Sequence, residues 1–416
     1  MKTIAVVGGG ISGLMSAYLL SRRYTVWLFE QDGRLGGHTN TIRIDTPEGP
    51  VALDTGFLVH NTRTYPNLVR VFTQLGIATK PSDMSFSVAC PVTGLEYSSR
   101  GVLGFFAQPA NLARPEHYRL LLDIARFNRE APRLMSHPEA EHWTLESFVD
   151  REGYSRVFVE RYLVPMTSAI WSAPVSAMRA FPIRRMVTFM QNHGMLSMGT
   201  QLIWRVVTGG SDTYIKPMIA PLADRVRTAS PVVSIRRDDR GVEIVTADQQ
   251  RQRFDEVVLA CHGDRVLGLL AEPTADERQV FGAFRTTPNE AILHSDARLL
   301  PQSPRARASW NYRLADDPDR PPSVTYDLNR LQGLACKTQY CVTLNPHAPI
   351  DESRVIRRIH YRHPQFTVDT DRAQAQWNLV SGVNRTHYAG AYWRYGFHED
   401  GALSAVRVAE SLGVSW

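Results

Sequence analysis

Lysine is almost missing from this chain. Of its 47 basic residues only Lys2, Lys80, Lys216 and Lys337 are lysines, so 43 are arginines. Cysteine is sparse too: Cys90, Cys261, Cys336 and Cys341 are the four, and no two form a CxxC pair. Two bridges would staple little of so long a chain. A disulfide framework and a metal site are therefore not expected, and a reducing cytoplasm is the expected compartment. No apolar run approaches the ~18 residues of a membrane-spanning helix. Met1 to Leu20 carries a lysine and an apolar stretch, but Gly8, Gly9, Gly10 and Gly13 interrupt it and no small-residue cleavage site follows. It reads as strand and helix of the fold rather than as a signal peptide. A basic low-complexity arm and zinc-finger or RNA-recognition signatures are also missing, so nucleic acid is not an expected partner. What is present is globular: 43% hydrophobic and 21% charged residues in 416, enough for two or three domains. The arginine excess has two readings. It reflects genome composition, or it supplies forks for phosphate or carboxylate on a ligand or membrane.

The pattern opens as strand (Thr3 to Val7), glycine turn, helix (Ser12 to Arg22) and strand (Thr25 to Glu30), the start of a doubly wound α/β fold. Helical stretches such as Tyr118 to Asn128 and Thr144 to Glu152 mark a change of character over residues 100–205. Strand signals return at Val232 to Arg236, Val242 to Thr246 and Glu256 to Ala260, the first two as a hairpin around Asp238 to Gly241. The chain closes with a strand at Thr386 to Ala389 and a helix at Ala402 to Leu412. In Gly8-Gly9-Gly10-Ile11-Ser12-Gly13, Gly8 permits the turn, Gly10 lets backbone approach a pyrophosphate, and Gly13 lets helix pack on strand. The helix N-terminus offers N–H groups and a positive dipole end to phosphates. Glu30, ending the second strand, is placed for ribose hydroxyls and argues against a 2′-phosphate.

Glu30-Gln31-Asp32-Gly33-Arg34-Leu35-Gly36-Gly37-His38 resembles the second fingerprint of the flavin amine oxidase superfamily. The resemblance implies that Arg34 and the Gly36-Gly37 backbone lie along an FAD pyrophosphate and ribityl chain. His38 stands where many members have Arg. Leu53-Asp54-Thr55-Gly56-Phe57 resembles the D-x-G turn near the flavin ring, and Pro231 to Ile235 the strand whose backbone, at Val233, pairs with adenine. Tyr388-Ala389-Gly390-Ala391 and Glu399-Asp400-Gly401-Ala402 resemble the C-terminal flavin motif. There an acid binds the ribityl or phosphate part, and Glu399 and Asp400 also read as first-turn acids of a helix. The implied fold is α/β: a glutathione-reductase-type FAD-binding Rossmann domain (1–82, 205–270 and 378–416) with an inserted mixed α+β substrate domain (83–204 and 271–377). The implied cofactor is non-covalent FAD. The runs at 57–66, 81–87, 325–331 and 395–401 further resemble bacterial NAD/FAD-binding proteins encoded beside cyclopropane-fatty-acyl-phospholipid synthases.

That resemblance implies an FAD-dependent oxidoreductase taking hydride to flavin N5 from a fatty-acyl chain, methylated or unsaturated, free or on phospholipid. A soluble amine oxidase, an FAD-dependent double-bond isomerase and a non-catalytic flavoprotein partner are the alternatives. The Met186 to Met198 stripe suits an acyl channel or plain core packing. Residues 101–134 interleave apolar side chains with arginines, which suits either an anionic membrane surface or a helix packed on the core. Membrane contact would then be peripheral, on the inner face. Lys337 is the candidate for an amine-oxidase lysine, although its surroundings do not resemble that motif. His193 and His398 are candidate bases or structural histidines, and Tyr392 with Trp393 stands near the region of the amine-flanking aromatic pair. Sequence leaves substrate, electron acceptor and oligomeric state open.

Overall fold

A computed structural model describes residues 1–196, 202–315, 317 and 319–416. The chain opens with β1 (Thr3–Val7), α1 (Ile11–Leu20) and β2 (Thr25–Phe29). Both strands are short apolar runs rich in β-branched side chains, the pattern of strands covered on both faces. They join a five-stranded parallel sheet in the order β3 (Val226–Arg227), β2, β1, β4 (Glu256–Leu259) and β5 (Thr386–Tyr388). Val6 stands between Leu28 and Val258 in register. Five helices matter below: α2 (Pro66–Gln74), α3 (Pro115–Glu130), α4 (Ile183–Asn192), α5 (Ala275–Phe281) and α6 (His398–Ser411). α1 and α6 meet at a glycine, since a Cβ on Gly401 would stand 2.7 Å from Ile11 Cγ2.

A second, seven-stranded sheet runs Val355–Gln365, Arg285–His294, Cys341–Leu344, Ser323–Asp327, Trp310–Arg313, Phe86–Cys90 and Leu95–Ser98. Its pairs are antiparallel except Trp310–Arg313 with Phe86–Cys90. Helices from residues 115–192 form a separate apolar core around Leu120, Phe127, Phe158, Met186 and Met190. The core around the parallel sheet also takes in Val280, Phe281, Phe284, Ala373 and Trp377. It therefore crosses the limits at 270 and 378 expected from sequence, because α5 lies against β5 through Phe281 and Tyr388, whose rings are 4.6 Å apart.

Two local expectations are corrected. The last helix begins at His398, four residues before Ala402, because Phe397 provides the N-cap and Asp400 accepts its N–H at 2.9 Å. The helix expected over Tyr118 to Asn128 is longer, because Pro115 starts it and the arginine–carboxylate pairs of its outer face carry it on to Glu130. The Asp238 to Gly241 hairpin is present, with Asp238 opposite Gly241.

Candidate functional site

The glycine loop lies at the carboxyl end of β1, where doubly wound folds bind ligands. Gly8 has φ +110°, and a Cβ on Gly13 would stand 1.8 Å from the Gly8 carbonyl oxygen, so backbone and packing both demand glycine there. Gly10 differs. Its φ of −74° suits any residue, and nothing lies within 4 Å of an added Cβ. Neither conformation nor packing explains Gly10; a cradle kept open for a ligand does. α1 starts here with no side-chain cap, leaving the N–H groups of Ile11, Ser12 and Gly13 without intrahelical acceptors. Glu30 accepts from Gly9 N at 2.6 Å and Asp32 N at 2.9 Å, holding the loop against the end of β2. Gln31 is exposed. Arg34 folds over the next turn, donating to the Gly37 carbonyl at 2.8 Å and the Thr39 carbonyl at 3.1 Å.

Gly36, with φ +113°, donates its N–H to the Gly9 carbonyl, so both fingerprints form one surface with Gly37 against Gly10. His38 stacks on Tyr361 at 4.8 Å, with His363 at 5.2 Å and His262 at 6.2 Å. Burial, then the neighbouring histidines, hold its imidazole neutral, and its Nε2 has no partner among the described residues. The buried Tyr392 hydroxyl is likewise unpartnered. A β-bulge puts Val233 outside the ladder: Val232 faces Thr246 and Ser234 faces Val245. The open cradle and two orphaned polar atoms fit a dinucleotide flavin, whose phosphates and ring need such partners, and the bulge sets Val233 apart from the regular ladder.

Asp54 is a hub. It accepts from Thr41 Oγ1 at 2.6 Å, Ser211 N at 2.8 Å and Gln332 Nε2 at 3.1 Å, and burial pushes it up to about 6. Thr55 Oγ1 donates to the Asn40 carbonyl at 2.9 Å. Gly56 packs under the His38 carbonyl, which accepts from Phe57 N at 2.7 Å. The Phe57 ring stacks on His398 at 3.9 Å, and His398 Nε2 meets the Tyr214 hydroxyl at 2.7 Å and Thr39 Oγ1 at 3.0 Å. Burial takes His398 down to about 3. The first turn of α6 thereby closes on both fingerprint loops. Gly390 N donates to Ser404 Oγ at 2.8 Å. Glu399 turns the other way and caps α2, accepting from Leu68 N at 3.0 Å and Asn67 Nδ2 at 2.7 Å. Asp400 is pushed up to about 7 by burial.

Beside that first turn lies a cleft of about 260 Å³ lined by Tyr65, Phe189, Tyr395 and Phe397, with Arg63, Arg394 and His193. His193 Nδ1 is 2.8 Å from the Phe189 carbonyl, which can only accept, so Nδ1 carries the proton and Nε2 the lone pair. Burial lowers His193 to about 4, so it is neutral near pH 7. Arg63 and Arg394 are exposed; Arg394 Nε is 3.8 Å from Asp400. The candidate catalytic residues therefore separate. His193 is in the cleft, and His398 is locked between Phe57 and Tyr214. Tyr392 packs between Phe284 and Trp393, and Lys337 is exposed on a turn away from the cleft. Lys216 is exposed, Lys2 pairs with Glu256 and Lys80 meets the Gly333 carbonyl. Met186 and Met190 are core, Met195 borders it, and Met198 lies outside the described residues. Arg63 and Arg394 went unread as a pair, since only folding brings them together; their one signal was position inside the 57–66 run and beside the C-terminal motif.

Residues 11–295 match the family model described as flavin containing amine oxidoreductase. Among curated relatives, amine oxidase [flavin-containing] A of Canis lupus familiaris is 24% identical over 276 residues, covering 62% of this chain and 49% of that protein. An L-amino acid dehydrogenase of Synechocystis sp. is 26% identical over 258 residues, covering 59% and 53%. The chain spans about half the length of the curated relatives it matches. Its fold is similar to that of a putrescine oxidase triple mutant, with TM-score 0.72, 14% identity and coverage of 99% and 98%. It is also similar to the CLA-producing fatty acid isomerase from P. acnes, with TM-score 0.68, 13% identity and coverage of 98% and 98%.

Proposed function

The chain belongs to the flavin-containing amine oxidoreductase family, whose model supports an FAD-dependent oxidoreductase; we propose, from the charge and lining of the cleft, that it acts on a fatty-acyl chain with an anionic head group. FAD, when bound, supplies a two-electron acceptor. Gly8 to Gly13 and the first turn of α1 would hold its pyrophosphate, Glu30 its ribose and the Val233 backbone its adenine. The first turn of α6 and the Asp54 to Phe57 turn would hold its ring. The protein's own contribution is position, exclusion of water and a proton acceptor. The aromatic walls of the cleft desolvate an apolar chain, and His193, whose Nε2 has no hydrogen-bond partner among the described residues, would take up there a proton lost from substrate.

The sign of the charge carries this reading over an amine. Arg63 and Arg394 flank the cleft. Glu399 and Asp400 line it too, but Glu399 is tied to α2 and burial raises Asp400 to about 7, so the exposed charge at the mouth is positive. Among the described residues no lysine lines it. An ammonium substrate would meet two guanidinium groups; a carboxylate or phosphate would be clamped by them. The acyl chain is methylated or unsaturated on the resemblance to proteins encoded beside cyclopropane-fatty-acyl-phospholipid synthases. Anaerobic mixing tests the choice. Phospholipid or free acid with such chains should bleach the oxidised flavin band, while polyamines and aromatic monoamines should not. Changing Arg63 and Arg394 together to Gln should raise KM for the acid about 10–100-fold with kcat little changed. Rapid bleaching by an amine with lipids inert would replace this reading by amine oxidation, the activity that the mammalian relatives' names carry.

A further inference from the structure

α3 has two apolar sides, and only one is used by the fold. Leu120 and Phe127 are fully buried in the helical core. On the opposite side Tyr118, Leu121 and Leu122 are 44%, 43% and 66% exposed, at the i, i+3 and i+4 spacing of a single helix face. Around them stand Leu112, Leu103, Val102 and Val92, at 57%, 69%, 75% and 73%. These belong to one surface. The Tyr118 hydroxyl donates to the Leu112 carbonyl at 2.9 Å, and the rings of Tyr118 and Phe106 are 5.6 Å apart. Phe106 N donates to the Val102 carbonyl at 2.9 Å, and Arg114 reaches the Thr93 carbonyl beside Val92 at 3.5 Å. Isolated exposed apolar residues need no explanation, but a contiguous group of this size marks an interaction surface.

Charge selects the partner. Residues 100–133 hold Arg100, Arg114, Arg119, Arg126, Arg129 and Arg133 against Glu116, Asp123 and Glu130. The segment is net positive beside its apolar centre, and Arg100 and Arg114 reach carbonyl and amide oxygens with no carboxylate partner among the described residues. A bilayer with anionic head groups complements both features, with leucines entering the acyl boundary and arginines meeting phosphates. We propose that this face docks on an anionic lipid bilayer. The sequence pattern weighs apolar side chains and arginines together; the structure puts the leucines first. Arg126 is held by Glu130 at 2.8 Å and the Glu152 carbonyl at 2.8 Å, over the Tyr154 ring, and Arg119 pairs with Asp123 at 3.1 Å. Insertion therefore rests on Leu103, Leu121 and Leu122, and the surplus positive charge orients it. This docking stands apart from the choice of substrate.

Purified flavoprotein should co-float with vesicles of phosphatidylglycerol mixed with phosphatidylcholine, and weakly or not at all with phosphatidylcholine alone. Changing Leu103 and Leu122 together to Glu should weaken that partition at least about tenfold. Both positions are exposed, so flavin content and melting temperature should match the parent. Arg126→Gln should bind vesicles like the parent. Failure of the parent to bind anionic vesicles overturns the proposal, as does equal binding by the double variant. A parent that is dimeric in sedimentation, and monomeric after the double substitution with no vesicle binding, would assign the face to a second copy and also overturn it.

Discussion

Asp400 sits fully inside the protein one turn into α6, where burial lifts it to about 7 from an ordinary 3.8. The folded state therefore binds this proton more tightly than the unfolded state does. Stability is lost as pH rises from about 4 to about 7, the direction opposite to that of a salt-bridged carboxylate. Asp54, lifted to about 6, works in the same sense. Asp400→Asn keeps an acceptor for Phe397 N and removes the charge. Flavin-free protein with this change should melt at nearly the parent's temperature near pH 4. At pH 8 it should be more stable by about 1–3 kcal/mol, since each tenfold difference in proton affinity between the folded and unfolded states is worth about 1.4 kcal/mol. Thermal melts across that range check it; a variant less stable at pH 8 would show that the charged form has a partner worth more than its desolvation. Glu399 carries a different lesson. Its place beside a flavin motif was readable, but its hold on α2 was not, because Asn67 and Leu68 are its neighbours only after folding.

α5, β5 and the hairpin strand Val232–Asp238 are joined by one buried carboxylate. Glu277 accepts from Arg237 at 2.5 Å, the Tyr388 hydroxyl at 2.6 Å and Thr274 N at 2.7 Å. The Arg237 and Glu277 side chains are 7% and 2% exposed. Removing one partner leaves the other charge buried alone. Arg237→Met should therefore cost about 3–5 kcal/mol, and Arg237→Met with Glu277→Gln should recover much of it. Denaturant unfolding of parent, single and double variants measures the difference; additive losses would mean the two charges do not depend on each other. The elements themselves were legible to different degrees. β1, α1 and β2 follow from local pattern and glycine spacing. The place of α5 on the parallel sheet does not, because it is set by Phe281 meeting Tyr388 from a distant segment.

At the scale of the molecule, the parallel sheet, its glycine loop and the first turn of α6 converge on one surface, and the cleft with His193, Arg63 and Arg394 adjoins it. The glycine-loop surface proposed for flavin was legible in sequence, since its glycines act through backbone geometry with fixed spacing and Glu30 ends the adjoining strand. The cleft was not, since it draws on residues 63–66, 189–193 and 394–400. Gly10 separates fold from ligand more cleanly than any other position. Gly8 and Gly13 cannot change without breaking the turn, whereas a Cβ added at Gly10 meets no atom of the described residues within 4 Å. Acid release of flavin from the parent and from Gly10→Val is therefore the direct test. The parent should release FAD, and Gly10→Val should be colourless while keeping the parent's circular dichroism. FMN from the parent, no flavin at all, or full retention of FAD by Gly10→Val would contradict the assignment of this loop as the pyrophosphate cradle.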